Sequence, residues 1–341
     1  MAPWPGMGIV ELPASRLRLS QYAGTEGPPS STLGHMRDVA LDGKIWAWRR
    51  PRSTWIRPTS RLMWTSSQSS TARPAARMRR RCSSCTDFRR LLEFTNRSFF
   101  TRLADAFHLV APDYPGFGHS DAPDPKAFDY TFDNLARIID RFTELMHIDR
   151  YSLFLRDYGG PVGFRLGVAH PHRLAALVIQ NAVAHEDGLG PLWQTRRDFW
   201  ADRAANESAL RANYLSFDAT RQRHVGTSPN VSLYDPDLWT DEFAFLSRPG
   251  QSDIQADLFY DYRTKVASYP AWQDWLRRHE PPLLVLWGRF DPSFQVEEAE
   301  AYRRDVPGAE VHILDAGHFA LDDQAQTVAH LTRRFLLSAS G

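Results

Sequence analysis

The stretch YSLFLRDYGGPVGFRLG, from Tyr151 to Gly167, decides the reading of the chain. An apolar run ends at Arg156, Asp157 follows, and Tyr158, Gly159, Gly160 and Pro161 lead into residues that favour helix. That pattern predicts a strand joined to a helix by a tight turn. Gly159 and Gly160 give the room a sharp turn needs, and a proline in the first helical turn loses no hydrogen bond. Such a turn lifts one side chain, here Asp157, above a sheet and places it at a helix N-terminus. Taken alone, Asp157 is read equally well as an N-cap aspartate.

Outward from this turn, short apolar runs alternate with amphipathic stretches, the pattern of an α/β fold with a mostly parallel central sheet flanked by helices. Strands are expected at His108–Ala111, Ser152–Leu155, Ala175–Gln180, Pro282–Trp287 and Glu310–Leu314. Thr131 is placed to cap a helix in which Leu135, Ile138, Ile139, Phe142 and Leu145 recur at three and four residues. Between residues 181 and 280 the alternation stops, and segments such as GPLWQTRRDFW and DLFYDYRTKVASYPAWQDW predict a mostly helical cap inserted over one end of the sheet. The core is then residues 101–180 and 281–341.

Downstream of the insertion, LLVLWGRFDPSF puts Asp291 on the loop beyond one apolar strand, and HILDAGHFALDD puts His318 on the loop beyond the next. In a parallel sheet these loops open at the same edge as the turn at Asp157, so the three side chains are expected to converge there. Singly, Asp291 reads as a turn residue and His318 as a loop histidine. In the order nucleophile, acid, base, they form a catalytic triad.

The totals bound the rest. The 341 residues suit one core with one insertion, and 41 basic against 40 acidic residues leave a net charge of +1. No strong field points to nucleic acid or an anionic membrane, so the expected partners are a small apolar organic substrate and water, with a homodimer possible. No cofactor and no metal are expected. Cys82 and Cys85 are too few to close a tetrahedral metal site and read as incidental. Neither a long apolar span nor a signal-like start is present, which makes a cytoplasmic location the expectation.

From Leu103 to Leu337 the chain resembles the α/β-hydrolase superfamily, and within it the branch of epoxide hydrolases and haloalkane dehalogenases. HLVAPDYPGFGHSD resembles the strand and loop before the elbow in that branch, DYGGPVGFRLG its aspartate elbow, and GHFALDD its histidine loop. The elbow departs from the pattern at Leu155, where many relatives carry glycine, and at Arg156. No G-x-S-x-G occurs, which disfavours a serine esterase. An aspartate there implies attack on an sp3 carbon to give an aspartyl alkyl ester, with His318, polarised by Asp291, activating water. The Tyr158 backbone N–H is expected in the oxyanion hole.

An epoxide is the favoured electrophile. The resemblance implies two cap tyrosines as acids, for which Tyr262 and Tyr214 are the candidates, although packing explains either as readily. A haloalkane or haloacid dehalogenase is the alternative. Its relatives place tryptophan directly after the nucleophile, where this chain has Tyr158; Trp193 and Trp200 remain as halide-site candidates.

Residues 1–100 differ in character. From Arg49 to Arg81 arginine, serine, tryptophan and proline dominate without period, which reads as a disordered basic extension, or else as a nucleic-acid-binding arm. The superfamily's oxyanion strand, ending in His-Gly-x-Pro, is expected just before His108, where the chain reads MRRRCSSCTDFRRLLEFTNRSFF. Shifted so that each codon takes the third base of one residue and the first two of the next, Arg81 to Cys85 reads as four apolar residues. The codons that follow are compatible with His-Gly-Phe-Pro, and Ser70–Ala76 with Tyr-Arg-Glu-Ala-Gly. Residues 61–99 are therefore expected to be a frameshifted translation that removes a strand and half the oxyanion hole, leaving a catalytically impaired hydrolase as a further alternative.

Overall fold

The computed structural model describes the strands β1 (Val10–Leu12), β2 (Val39–Leu41), β3 (Lys44–Ala47) and β4 (Arg80–Ser84), then residues 95–118 and 120–339, with side chains from Phe99 onward. The first three strands form a small antiparallel sheet in the order β1-β3-β2. After them come α1 (Thr95–Leu103), β5 (Phe107–Val110), α2 (Phe132–Leu145), β6 (Tyr151–Arg156), α3 (Gly159–Ala169) and β7 (Leu174–Gln180). Five helices then intervene: α4 (Gln194–Ala201), α5 (Arg203–Leu215), α6 (Phe217–Val225), α7 (Asp237–Leu246) and α8 (Gln251–His279). The chain closes with β8 (Leu283–Gly288), α9 (Glu297–Asp305), β9 (Glu310–Leu314) and α10 (Ala325–Ser338).

Strands β5-β4-β6-β7-β8-β9 make one parallel sheet. Its central strands are apolar on both faces because both faces are covered. Leu153, Leu155, Leu177, Ile179, Val285 and Trp287 join one core cluster with residues of α2, α3 and α9, while Phe154, Val178, Leu284 and Leu286 alternate to the other face, against α1 and α10. The α/β-hydrolase fold expected from the sequence is the fold observed. Thr131 caps α2 as read, its Oγ1 accepting the Asn134 N–H at 3.2 Å.

One expectation is corrected. The sheet does not lack the strand before His108: Arg80–Ser84 runs as β4 between β5 and β6. A ladder requires only backbone N–H and C=O groups, and without β4 the facing edges of β5 and β6 would have none to pair with. Arg-Arg-Cys-Ser-Ser is nevertheless an unusual composition for a position inside a sheet. Of the disordered extension expected from Arg49 to Arg81, Arg80 and Arg81 are ordered in β4; the rest lies outside the described residues, as do the His-Gly-x-Pro position after β4 and Cys85.

The helical insertion lies over the C-terminal edge of the sheet, and its tethers show why. Gln251 Nε2 donates to the Gly116 carbonyl and Arg248 Nη1 to the Gly118 carbonyl, both at 2.8 Å, on the loop after β5. Asp261 accepts the Phe132 N–H at 2.8 Å, and the Thr227 N–H reaches the Phe290 carbonyl after β8 at 3.0 Å. Buried His224 on α6 meets Asp322, on the loop after β9, through Nδ1 at 2.8 Å and Glu242 of α7 through Nε2 at 3.0 Å. These core anchors lie on loops beyond strand ends, except Phe132, which opens α2. Among the described residues no helix is long and apolar enough to cross a membrane.

Candidate active site

Asp157 is the first residue after β6 and adopts φ +41°, a left-handed conformation that side chains other than glycine rarely take. Its N–H reaches the Asn181 carbonyl at 3.3 Å, and its carbonyl accepts the Gly160 N–H at 2.9 Å, which turns the chain into α3. At Gly160 a Cβ would stand 3.1 Å from that of Ala182, a tight contact that glycine avoids. The departure at Leu155 is resolved by Gly163, one helical turn further: Leu155 fills the space a side chain on Gly163 would require. The two residues share one volume at the contact between β6 and α3. Arg156 is buried with its guanidinium over the Phe319 ring, 5.4 Å from the centroid.

Asp157, Asp291 and His318 come together. His318 Nδ1 lies 2.6 Å from Asp291 Oδ2, and its Nε2 faces Asp157 Oδ2 at 3.5 Å. All three are buried. Asp291 is fixed from its other side, since Oδ1 accepts the N–H groups of Ser293 (2.7 Å) and Phe294 (3.1 Å). Burial disfavours charge on His318, but the two carboxylates outweigh it and raise its pKa to about 10. Burial pushes the Asp157 carboxyl up, and its hydrogen bond and attraction to His318, helped by Lys265 and Arg196, bring it below the usual carboxylate range. At neutral pH the site therefore holds an imidazolium between two carboxylates.

Asn181 was not singled out in the sequence. It is fully buried at φ +44° directly after β7; its Nδ2 donates to Asp291 Oδ2 (2.8 Å) and the Gly288 carbonyl (3.1 Å), and its Oδ1 accepts the Gly288 N–H (2.7 Å). It thus ties β7 to the loop of Asp291. The available signal was its place at the end of a parallel strand, the position shared by Asp157.

Tyr158, at the entry to α3, turns its ring toward the insertion, 5.9 Å from the Tyr262 ring and 4.9 Å from that of Phe132. Tyr262 is buried among Trp193, Trp200, Phe132 and Tyr158. Burial, aided by Tyr269 and Asp157, holds its pKa well above the ordinary tyrosine value, so it keeps its proton. Its hydroxyl accepts a hydrogen bond from Lys265 Nζ. Lys265 is fully buried; that burial, against the pull of Asp157 and Glu298, lowers its pKa to about 7. The sequence reading passed over Lys265, although only three of the 41 basic residues are lysines and this one stands one helical turn from Tyr262.

The other cap candidates are engaged. The Tyr214 hydroxyl donates to the Leu192 carbonyl at 2.8 Å. The Trp193 indole N–H donates to the Ser293 carbonyl (2.8 Å) and that of Trp200 to the Phe259 carbonyl (2.7 Å), which takes both from the role of halide donor. Among the described residues, no group of three or more His, Cys, Asp or Glu side chains is arranged to hold a metal ion.

Comparison with known proteins agrees with this architecture. Residues 91–325 match the family described as alpha/beta hydrolase fold. An uncharacterized hydrolase of Saccharomyces cerevisiae is 37% identical over 238 residues, covering 68% of this chain and 81% of the yeast protein. A cis-3-alkyl-4-alkyloxetan-2-one decarboxylase of Shewanella oneidensis is 25% identical over 260 residues, covering 71% of this chain and 78% of its own. Among solved structures, the haloalkane dehalogenase DbeA of Bradyrhizobium elkani superposes with a TM-score of 0.61 at 16% identity, covering 78% of this chain and 92% of that one.

Proposed function

The chain belongs to the alpha/beta hydrolase fold family, and from that premise we propose that it is a hydrolase opening an epoxide through an ester on Asp157, with the helical insertion acting as its cap. The observation that carries this is the carboxylate at a strained elbow with an imidazole Nε2 facing it at 3.5 Å. Asp157 attacks a ring carbon, the C–O bond breaks, and the departing alkoxide takes the Tyr262 proton. The Lys265 ammonium, already hydrogen-bonded to that hydroxyl, stabilises the phenolate.

Ester formation removes the negative charge that holds the proton on His318. That proton leaves and replaces the one Tyr262 gave up. The neutral imidazole, still bound to Asp291, then takes a proton from water as the water attacks the ester carbonyl. The Tyr158 N–H at the start of α3 stabilises the oxyanion; its collapse expels the second oxygen as an alkoxide, which takes the proton of the newly formed Asp157 carboxyl group, so that the diol leaves with Asp157 ionised and His318 protonated again.

Epoxide opening is preferred to halide displacement because the tryptophan N–H groups beside the site already donate to backbone carbonyls, whereas a buried phenol stands ready. The oxetan-2-one of the decarboxylase relative's name is likewise a strained oxygen ring. The test is mass spectrometry of His318→Gln incubated with styrene oxide: an intact protein heavier by one epoxide, with the modification on Asp157, is expected. Absence of any adduct, with turnover persisting in Asp157→Ala, would overturn the proposal.

A further inference from the structure

Arg196, on α4 of the insertion, is nine-tenths buried, and neither its Nε nor its Nη1 finds an acceptor among the described residues. Its guanidinium lies 4.0 Å from the Trp193 ring centroid and 4.3 Å from that of Tyr214. Trp193 is in turn 4.9 Å from the Tyr262 ring and 5.7 Å from that of Phe294, which packs against His318. One aromatic ring therefore separates this cation from the group assigned to protonate the leaving oxygen. The two flanking rings attract a guanidinium but accept none of its in-plane N–H groups. Leaving such donors buried without acceptors is unfavourable unless something else fills the position.

Charge points the same way. Asp157, Asp291 and protonated His318 sum to one negative charge, while Arg196 and the protonated form of Lys265 add two positive ones beside them. With buried Glu298 matched by His185 at 2.8 Å, a single anionic group brings Asp157, Asp291, His318, Arg196 and Lys265 to neutrality. The walls are flat and aromatic, which suits a planar, singly charged carboxylate better than a heavily hydrated phosphate, and a guanidinium matches carboxylate oxygens with fixed donors.

We propose that Arg196 anchors a carboxylate on the substrate, so that the natural substrate is an organic acid bearing the electrophilic carbon rather than a purely apolar molecule. This rests on the assignment of Asp157 as nucleophile for its turnover arm, and not for its binding arm. The uncharged portion lies along Trp193 and Tyr262, and the carboxylate stands away from the Asp157 carboxylate, which would repel it.

Two measurements test it. With 5,6-epoxyhexanoate and uncharged 5,6-epoxyhexanamide as paired substrates, whose chain spans the Trp193 ring, Arg196→Met, which keeps an unbranched chain between the rings, is expected to lower kcat/KM for the acid by about 10- to 100-fold more than for the amide; Arg196→Lys should recover part of the loss. Equal effects on both substrates, or a wild-type preference for the amide, overturn the proposal. Separately, calorimetric titration of wild-type protein with unreactive butanoate is expected to show binding that Arg196→Met loses and butanamide does not reproduce. Binding seen there without turnover of either epoxide supports the anchor while removing the ester mechanism. Absence of butanoate binding, or binding unchanged in Arg196→Met, removes the anchor whatever the turnover shows.

Discussion

One imidazole is held between two buried carboxylates: His318 reaches Asp291 Oδ2 with Nδ1 at 2.6 Å and Asp157 Oδ2 with Nε2 at 3.5 Å. The arrangement stores a proton on His318 for as long as Asp157 is ionised. Replacing Asp157 by Asn imitates the neutral ester and should lower the His318 pKa from its value of about 10 by about 1 to 3 pH units. Imidazole resonances followed by NMR across the pH range check this. A His318 that titrates alike in both proteins would mean Asp157 does not hold the proton.

The same pair carries a stability signature. Because folding raises the His318 pKa above its ordinary 6.5, its contribution is fully present below pH 6.5 and is lost as pH rises through about 10. Urea unfolding of His318→Gln should show no loss from this source over that window.

Lys265 works in the opposite sense. Its pKa falls from 10.5 to about 7 on folding, so the unfolded chain binds more protons between those values and stability rises with pH across the window. Lys265→Met removes the cost of the buried charge. The variant is expected to be more stable than wild type by on the order of 5 kcal/mol below pH 7, with the gap closing by pH 10.5, while turnover falls because Tyr262 loses its hydrogen-bond partner. Denaturant melts at pH 6 and 10 give the first quantity, and kcat gives the second.

Gly163 and Leu155 share one volume across the contact between α3 and β6. Gly163→Ala overpacks it and should destabilise the fold by about 1–3 kcal/mol. Adding Leu155→Ala should restore part of that loss, so the double-mutant cycle departs from additivity by about 0.5–3 kcal/mol. Additive effects would separate the two residues.

The strand Arg80–Ser84 lies where the shifted reading of Arg81–Cys85 turns apolar. Resequencing the gene across codons 55–105 should therefore reveal compensating single-base changes that restore an apolar β4. An uninterrupted frame with an intact mass of 39.0 kDa matching this sequence would make the polar strand genuine.

The sequence by itself determined the α/β-hydrolase fold, five of the six strands of the main sheet to within a residue or so at each end, and the meeting of Asp157, Asp291 and His318. These were legible because each depends on a local pattern: apolar alternation, turn residues beside Asp157, and the rule that parallel strands open their loops at one edge. What only the tertiary structure decided depends on groups remote in sequence. Asn181 had no motif until Asp291 and Gly288 were brought to it, the fit of Leu155 against Gly163 exists only in the packed contact, and β4 is a strand because β5 and β6 flank it. Lys265 and Arg196 are ordinary surface-type residues in a sequence. Burial, which no spacing encodes, is what leaves one bound to the Tyr262 hydroxyl and the other holding donors without acceptors among the described residues.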